Sequence, residues 1–189
     1  LGAASALVTA NGAVTFSSTL DGAQNLTITA GTGLVTFTGV VGGTTRLGTL
    51  NIVSAGDVTV NNGGLTLAAF DQDAGTGTTT FSDTVNTNTA AGVVVANTNL
   101  AVNAGVTTTS SGVVTFIQSG TTTIAAAGDI TADGAVSITS TGGTATSGDI
   151  TTTNDAITFA SATTLGGAVA LVSANGAVTF SSTLDGAQN

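Results

Sequence analysis

Apolar and polar positions alternate in a short word that recurs along the whole chain. The word is a glycine, a variable residue, a β-branched residue, threonine or serine, and an apolar residue, as in GAVTF at 12–16. Such alternation with a period of two is typical of a β-strand with one buried face. The pattern therefore predicts many short strands separated by turns. Further copies of the word stand at 33–37, 56–60, 77–81, 112–116, 134–138 and 176–180, with looser copies at 128–132 and 154–159.

The spacing of the words indicates how these strands are arranged. The residue numbers of Val14 and Val35 differ by 21, and those of Val35 and Val58 differ by 23. A short strand and its turn occupy about seven residues, so three of them make a coil of about 21 residues. The sequence therefore predicts an all-β, right-handed parallel β-solenoid with three short strands per coil, since parallel crossovers are almost always right-handed.

Within each word, the two apolar side chains are expected to point inward and the threonine between them outward. Stacked coils then place Phe16 beside Phe37, while Thr15 and Thr36 form an outer ladder. The Asn-Gly pairs at 11–12 and 62–63 and the Gly-Gly pair at 42–43 fit corners that need a positive φ. The predicted structural core consists of Val14, Phe16, Val35, Phe37, Val58, Val60, Phe81, Val114, Phe116, Val136, Ile138, Ile157, Phe159, Val178 and Phe180.

A longer period contains the short one. The stretch ANGAVTFSSTLDGAQN occupies 10–25 and recurs letter for letter at 174–189, where every residue number is higher by 164. We interpret 1–164 as one full tandem repeat unit of a continuous solenoid with roughly eight coils. Residues 165–189 are then the start of the next unit, and no separate globular domain is expected.

One step departs from the regular spacing. Thr79 and Val93 occupy equivalent places in successive words, but their residue numbers differ by only 14. Either one coil is short there, with eight coils per unit, or the word moves by one side of the solenoid. The second alternative gives about seven and two-thirds coils and turns successive units by about a third of a revolution. The sequence leaves both alternatives open.

The composition excludes several classes of function. The net charge is −9, with one cation against ten acids, and the chain has no His and no Cys. Neutralising nucleic-acid phosphates or anionic lipids needs many Lys and Arg, so neither partner is expected. No apolar run is long enough to cross a bilayer, so membrane insertion of this segment is not predicted. Without His and Cys, most nucleophile–base pairs and transition-metal sites are ruled out. We expect Arg46, the sole cation, to lie in solvent.

Aspartate supplies all of the candidate chemistry. Asp71, Asp73 and Asp83 form the densest acidic group and are weak candidates for a calcium or acid–base site, although a solvated corner is the favoured interpretation. Calcium is the only cofactor that the sequence leaves possible. Asp57, Asp129 and Asp149 each follow glycine and precede a β-branched residue, and they are expected to bond backbone N–H groups in turns. No catalytic residue is predicted, so we do not expect an enzyme.

The words with their Thr/Ser/Asn/Gly-rich turns, such as GAVTF at 12–16 and GDVTV at 56–60, together with the missing Cys, resemble the repeat regions of giant bacterial surface proteins of the filamentous-haemagglutinin and autotransporter-passenger type. The resemblance covers the whole chain. It implies secretion to the bacterial cell surface or the extracellular space and a role in adhesion, surface coats or matrix fibres.

We therefore predict a structural segment of an extracellular rod or filament. Its partner would be itself, through end-to-end or covalent continuation and lateral bundling. An adhesin stalk or glycan-binding surface is the main alternative. Functional amyloid and ice binding through outward threonines, as in LTIT at 26–29, are further alternatives.

Overall fold

A computed structural model describes residues 1–187, which form short β-strands joined by turns and contain no helix. The last two residues of the predicted second unit, 188 and 189, lie outside the described residues. The strands are β1 (Ser5–Val8), β2 (Val14–Phe16), β3 (Leu26–Thr29), β4 (Val35–Phe37), β5 (Leu47–Ser54), β6 (Val58–Val60), β7 (Leu65–Gln72), β8 (Thr78–Phe81), β9 (Val85–Thr87), β10 (Val93–Asn97), β11 (Asn99–Val102), β12 (Val106–Thr108), β13 (Val114–Gln118), β14 (Thr122–Ile124), β15 (Ile130–Ala132), β16 (Val136–Ser140), β17 (Thr144–Thr146), β18 (Ile150–Thr152), β19 (Ile157–Phe159), β20 (Thr163–Leu165), β21 (Leu171–Val172), β22 (Val178–Phe180) and β23 (Leu184–Asp185).

These strands form three walls that the chain visits in the fixed order 1, 2, 3. Wall 2 is a separate nine-stranded sheet, whereas β5 and β7 turn the corner from wall 3 into wall 1 and join those walls into one fourteen-stranded sheet. The strand pairings are parallel, so the prediction of an all-β parallel solenoid is confirmed. Wall 1 contains β1, β3, the ends of β5 and β7, β10, β13, β16, β19 and β22; wall 2 contains β2, β4, β6, β8, β11, β14, β17, β20 and β23; wall 3 contains the starts of β5 and β7, β9, β12, β15, β18 and β21.

Equivalent residues of successive coils stack in register. Phe16 pairs with Phe37 and Thr15 with Thr36 between β2 and β4. The two phenylalanine rings are parallel, with centroids 5.0 Å apart and an interplanar angle of 3°. The predicted stack of aromatic side chains beneath an outer threonine ladder is therefore confirmed. Of the predicted core, the fully buried members are Val35, Phe37, Val58, Val60, Phe81, Val114, Phe116, Val136, Ile138, Ile157 and Phe159.

The remaining four predicted core residues lie in the first and last coils and are less buried. Val14, Phe16 and Phe180 are half-buried and pack against the core from one side. Val178 is 40% exposed. The physical reason is the stacking itself, because a terminal coil of this chain has a neighbouring coil on one side only.

Three tight corners use positive φ, as the Asn-Gly and Gly-Gly pairs predicted. Asn11 has a φ of 66°, and Gly42 has a φ of 72°. At the third corner, Asn62 and Gly63 both have positive values, 41° and 111°. Such angles are costly for most L-residues and are tolerated best by glycine and asparagine, which is why these types stand here.

The short step between Thr79 and Val93 is a change of wall. Thr79 lies in wall 2, where its in-register neighbour in the following coil is Leu100. Val93 lies in wall 1 beside Phe70 of the preceding coil. Between them, the chain passes through β9 in wall 3. The coil is therefore complete, and the recurring word has moved from wall 2 to wall 1.

This change of wall decides between the two coil counts. From β2 to β20, wall 2 contains seven steps between successive strands. The chain then crosses wall 3 in β21 and reaches wall 1 in β22, two-thirds of a coil later. One repeat, from Val14 to its equivalent Val178, thus spans seven and two-thirds coils. The alternative with a short coil is wrong.

Candidate functional site

The acidic pair Asp71 and Asp73 lies where β7 ends in wall 1. Asp71 faces outward between Asn51 of the preceding coil and Val94 of the following one. Partial burial, followed by the neighbouring charge of Asp73, raises the pKa of Asp71 above its ordinary value. Burial and a nearby like charge both disfavour the ionised form of a carboxyl group, which accounts for the raised pKa of Asp71.

The structure does not bring Asp83 to this pair. Asp83 follows β8 and lies at the corner where the chain leaves wall 2, whereas Asp71 lies in wall 1. The carboxylate of Asp83 accepts hydrogen bonds from the backbone N–H groups of Gly63 at 2.6 Å and Thr84 at 2.7 Å. Among residues 1–187, no three acidic, histidine or cysteine residues cluster as a metal site requires. The predicted three-aspartate calcium group is therefore not assembled, because the chain between Asp73 and Asp83 continues around the coil.

Aspartate side chains at the corners connect one coil to the next. Asp57 accepts a 2.7 Å hydrogen bond from the N–H of Thr78, one coil later. Asp129 accepts from the N–H of Asp149 at 2.9 Å, and Asp149 accepts from that of Ala170 at 2.8 Å. The prediction that these aspartates bond backbone N–H groups is confirmed, but the donors belong to the following coil. Asparagine side chains accept the same kind of inter-coil bond through Oδ1: the N–H groups of Thr32, Thr49 and Thr121 donate to Asn11, Asn25 and Asn99, respectively.

At three other aspartates, Asp21, Asp83 and Asp133, hydrogen bonds stabilise the ionised carboxylate. The N–H groups of Gly63 and Thr84 hold the pKa of Asp83 below its ordinary value. The N–H of Ser111 and then the hydroxyl of Thr153 do the same for the pKa of Asp133. Hydrogen bonds to a carboxylate favour its charged form, so the corner bonds are strongest above the acid range. The pKa of Asp21 is lowered in the same way by the N–H groups of Thr44 and Thr45.

A buried polar ladder, which the sequence did not predict, runs through the later coils beside the corner of walls 1 and 2. Gln118 donates through Nε2 to the carbonyl oxygen of Val95 at 3.0 Å and to Oδ1 of Asn97 at 3.2 Å. The hydroxyl of Thr122 donates to Oε1 of Gln118 at 2.7 Å and lies 2.7 Å from the hydroxyl of Ser140. The side chains of Asn97, Gln118, Thr122 and Ser140 are at most 8% exposed. Satisfied buried polar groups favour one stacking register over others.

One signal in the sequence could have revealed this ladder. Gln118 stands two positions after Phe116 in the same strand, and side chains two apart point to the same side. A glutamine extending an inward series is therefore expected inside the solenoid. A related pair lies in an earlier coil, where the hydroxyl of Thr79 donates to Oε1 of Gln72 at 2.6 Å.

Arg46 is not free in solvent, so that expectation was wrong. Its guanidinium is half-buried and donates to the backbone carbonyl oxygens of Leu67 at 2.6 Å and Asn86 at 3.1 Å. A further bond of 2.7 Å reaches Oδ1 of Asn86. These acceptors belong to the two following coils, so the planar donor group of arginine bridges three successive coils.

The outer surface carries open grooves and a threonine column. A groove of about 250 Å³ lies in wall 2 beside Thr123 and Ala145. A larger groove, about 430 Å³ in volume, lies in wall 1 beside Ile117, Asn97 and Gln118. The amide groups of Asn97 and Gln118 already make hydrogen bonds within the protein, so the polar side chains that remain in the larger groove are Asp73, Ser119, Thr139 and Thr141. The column on wall 2 consists of Thr15, Thr36, Thr59, Thr80, Thr123 and Thr164 and is interrupted by Ala101 and Ala145.

No model of a known protein family matches the chain, and no curated protein or solved structure matches it either. The resemblance to filamentous-haemagglutinin and autotransporter repeats therefore stays a prediction. Within residues 1–187, the structure has no helix that is long and apolar enough to cross a membrane.

Proposed function

We propose that this chain is a structural segment of a very long secreted bacterial protein, in which consecutive repeat units continue one solenoid as an extracellular rod or filament. The observation that carries the proposal is that the second copy of the repeated segment continues the stack of the first. Strands β21, β22 and β23 of the second copy pair in parallel with β18, β19 and β20. This unbroken strand pairing supports a continuous stack rather than docked globular units.

Three kinds of inter-coil contact support a mechanical role. The aromatic and aliphatic side chains form one continuous core cluster along the solenoid. The corner carboxylates bond the N–H groups of neighbouring coils, and Arg46 bridges three coils. Because each contact joins neighbouring coils, stability grows with the number of stacked coils, as in other repeat proteins.

The glycan-binding alternative has less support. Aromatic rings that stack on sugars must be exposed, whereas Phe37, Phe70 and Phe116 are fully buried. The groove beside Ile117 is lined mainly by small side chains.

We propose no catalytic activity for this segment, whose acidic pair Asp71–Asp73 stands on the open surface of a wall.

The mass per unit length of rods formed by this protein tests the proposal. A solenoid of nine coils stacked at about 4.8 Å is about 43 Å long. The chain mass of 17.8 kDa then corresponds to about 0.4 kDa per Å. Scanning transmission electron microscopy of unstained rods measures this value directly.

Amyloid would contradict the proposal in the same measurement. One whole chain per layer of about 4.8 Å corresponds to about 3.7 kDa per Å, roughly nine times more. Monomers that show no rod shape, combined with binding on a glycan array, would instead favour the adhesin alternative. Wild-type chain denatured in urea and diluted without refolding serves as the control for non-specific aggregates.

A further inference from the structure

Identical sequence occupies different walls at the two ends of the chain. VTF at 14–16 forms β2 in wall 2, and VTF at 178–180 forms β22 in wall 1. Each copy nevertheless makes the same kind of contact. Phe16 stacks on Phe37 with centroids 5.0 Å apart, and Phe180 stacks on Phe159 with centroids 4.9 Å apart. The word therefore has equivalent packing in either wall.

The other strands of the repeated segment shift in the same direction. Leu7 pairs in wall 1, whereas its equivalent Leu171 pairs in wall 3. Leu20 bridges to Val41 in wall 3, whereas its equivalent Leu184 pairs in wall 2. All three strands thus move back by one wall, which is the behaviour of a rigid rotation by one-third of a turn.

We propose that successive 164-residue units are rotated by one wall about the solenoid axis, so that each surface feature appears on all three sides in turn. This inference rests on the proposed function, since it requires that units continue one stack. At seven and two-thirds coils each, three units restore the starting orientation after 23 coils. At about 4.8 Å per coil, one unit rises about 37 Å and one full revolution about 110 Å.

The rotation determines which surfaces are available for lateral contacts between neighbouring rods. The acidic pair at Asp71 and the exposed side chain of Ile117 both lie on wall 1 of this unit. In the next unit they lie on wall 3, and in the one after that on wall 2. A second copy of the rod therefore finds the same lateral surface on every side, so side-by-side contacts extend into bundles rather than into flat ribbons.

The test is a chain of three consecutive units, made by repeating residues 1–164, with Ile117→Cys in each unit. The natural sequence has no cysteine, so a thiol-reactive gold cluster marks these positions alone. Electron cryotomography then locates the three clusters on each rod. We expect spacings of about 37 Å, with consecutive clusters one-third of a turn apart after the gradual twist of the coils is subtracted.

Three clusters along one edge, about 38 Å apart, would correspond to eight complete coils and overturn the inference while leaving the rod intact. Three separate bodies instead of one rod about 110 Å long would overturn the proposed function and the inference with it. The three-unit chain without cysteine is the labelling control, and averaging of its density supplies the rotation independently of the gold.

Discussion

The first and second halves of the solenoid place the same word on different walls. Up to Phe81 the word lies in wall 2, as at Val35 and Phe37. From Val114 onward its closest copies lie in wall 1, and the looser copy at 128–132 lies in wall 3. Where the word has left wall 2, the inward positions of that wall include buried threonines such as Thr122 and Thr144. The word thus determines that a strand forms with two inward apolar residues. Which wall that strand occupies is determined by the number of strands that precede it, because the chain visits the walls in a fixed order.

The two arrangements meet at an aromatic pair. Phe70 near the end of β7 belongs to wall 1, and Phe81 at the end of β8 belongs to wall 2. Their rings are perpendicular, with centroids 5.4 Å apart, unlike the parallel stacks nearer the ends. Both walls carry phenylalanine at this level, so the core stays filled while the word changes wall.

The sharpest test of this comparison is a set of double-cysteine variants around the change of wall. Thr80→Cys with Ala101→Cys should form a disulfide on oxidation, since these residues are in-register neighbours. Asp71→Cys with Val94→Cys should do so for the same reason. Thr80→Cys with Val94→Cys is the matched control and should not react, because its members lie in different walls. If that control pair instead formed the disulfide preferentially, Thr80 and Val94 would be in-register neighbours, and the alternative with a short coil would be correct.

Truncating one buried phenylalanine in each half compares the two cores. Phe37→Ala and Phe116→Ala, both at fully buried positions, should each lower the free energy of unfolding by about 3–5 kcal/mol. The outward controls Thr36→Ala and Thr115→Ala should change it by about 0.5 kcal/mol or less. Urea unfolding followed by circular dichroism measures each change. A cost in one half only would mean that the word is not packed equivalently in the two walls.

Removing the polar ladder should affect the second half alone. Gln118→Leu leaves the buried Oδ1 of Asn97 without its donor, and the hydroxyl of Thr122 keeps only Ser140, so we expect a loss of about 1–3 kcal/mol. The exposed neighbour Ser119 supplies the control Ser119→Ala. Amide hydrogen exchange should show faster opening around β13 and unchanged protection around β4. If Gln118→Leu is neutral, the ladder contributes nothing net to stability.

The corner bonds should have a smaller effect that depends on pH. Asp83→Ala removes the acceptor for Gly63 and Thr84, and a melting temperature about 1–3 °C lower is expected at pH 7. Because the folded protein lowers the pKa of Asp83, this contribution is present above the ordinary value of 3.8 and is lost as pH falls through the lowered pKa. Asp83→Asn keeps one acceptor oxygen, so its melting temperature should lie between those of the wild type and Asp83→Ala. If the wild type and Asp83→Ala still differ in melting temperature in strong acid, the ionised carboxylate is not the source of the difference.

A substitution in the acidic pair Asp71–Asp73 should have the smallest effect on stability, and it should stabilise the chain instead of destabilising it. The raised pKa of Asp71 means that its ionised form is disfavoured in the folded chain. Asp71→Asn should therefore increase stability at pH 7 by a few tenths of a kcal/mol, after screening by solvent. The gain should vanish below the ordinary pKa of 3.8, where both states are protonated. Thermal melts at pH 7 and pH 3 measure the change, and destabilisation at pH 7 would show that the charge is favourable.

The sequence by itself determined the strands, their inward and outward sides and the parallel stacking of coils. These properties are local, because alternation along a strand and the length of strand plus turn follow from a few consecutive residues. Phe16 above Phe37 and the positive φ at Asn11 were therefore predictable. The inter-coil role of Asp57 was only half predictable, since its type indicated a backbone bond but not which coil supplies the donor.

Only the tertiary structure decided which wall each word occupies, that Arg46 bridges coils and that Gln118 lies in a buried ladder. These properties depend on counting strands around a closed coil, and the short step from Thr79 to Val93 is compatible with two counts. They also depend on partners in neighbouring coils, which are distant along the chain and become neighbours only when coils stack at about 4.8 Å. Alternation depends on consecutive residues of one strand, whereas stacking brings together residues of different coils.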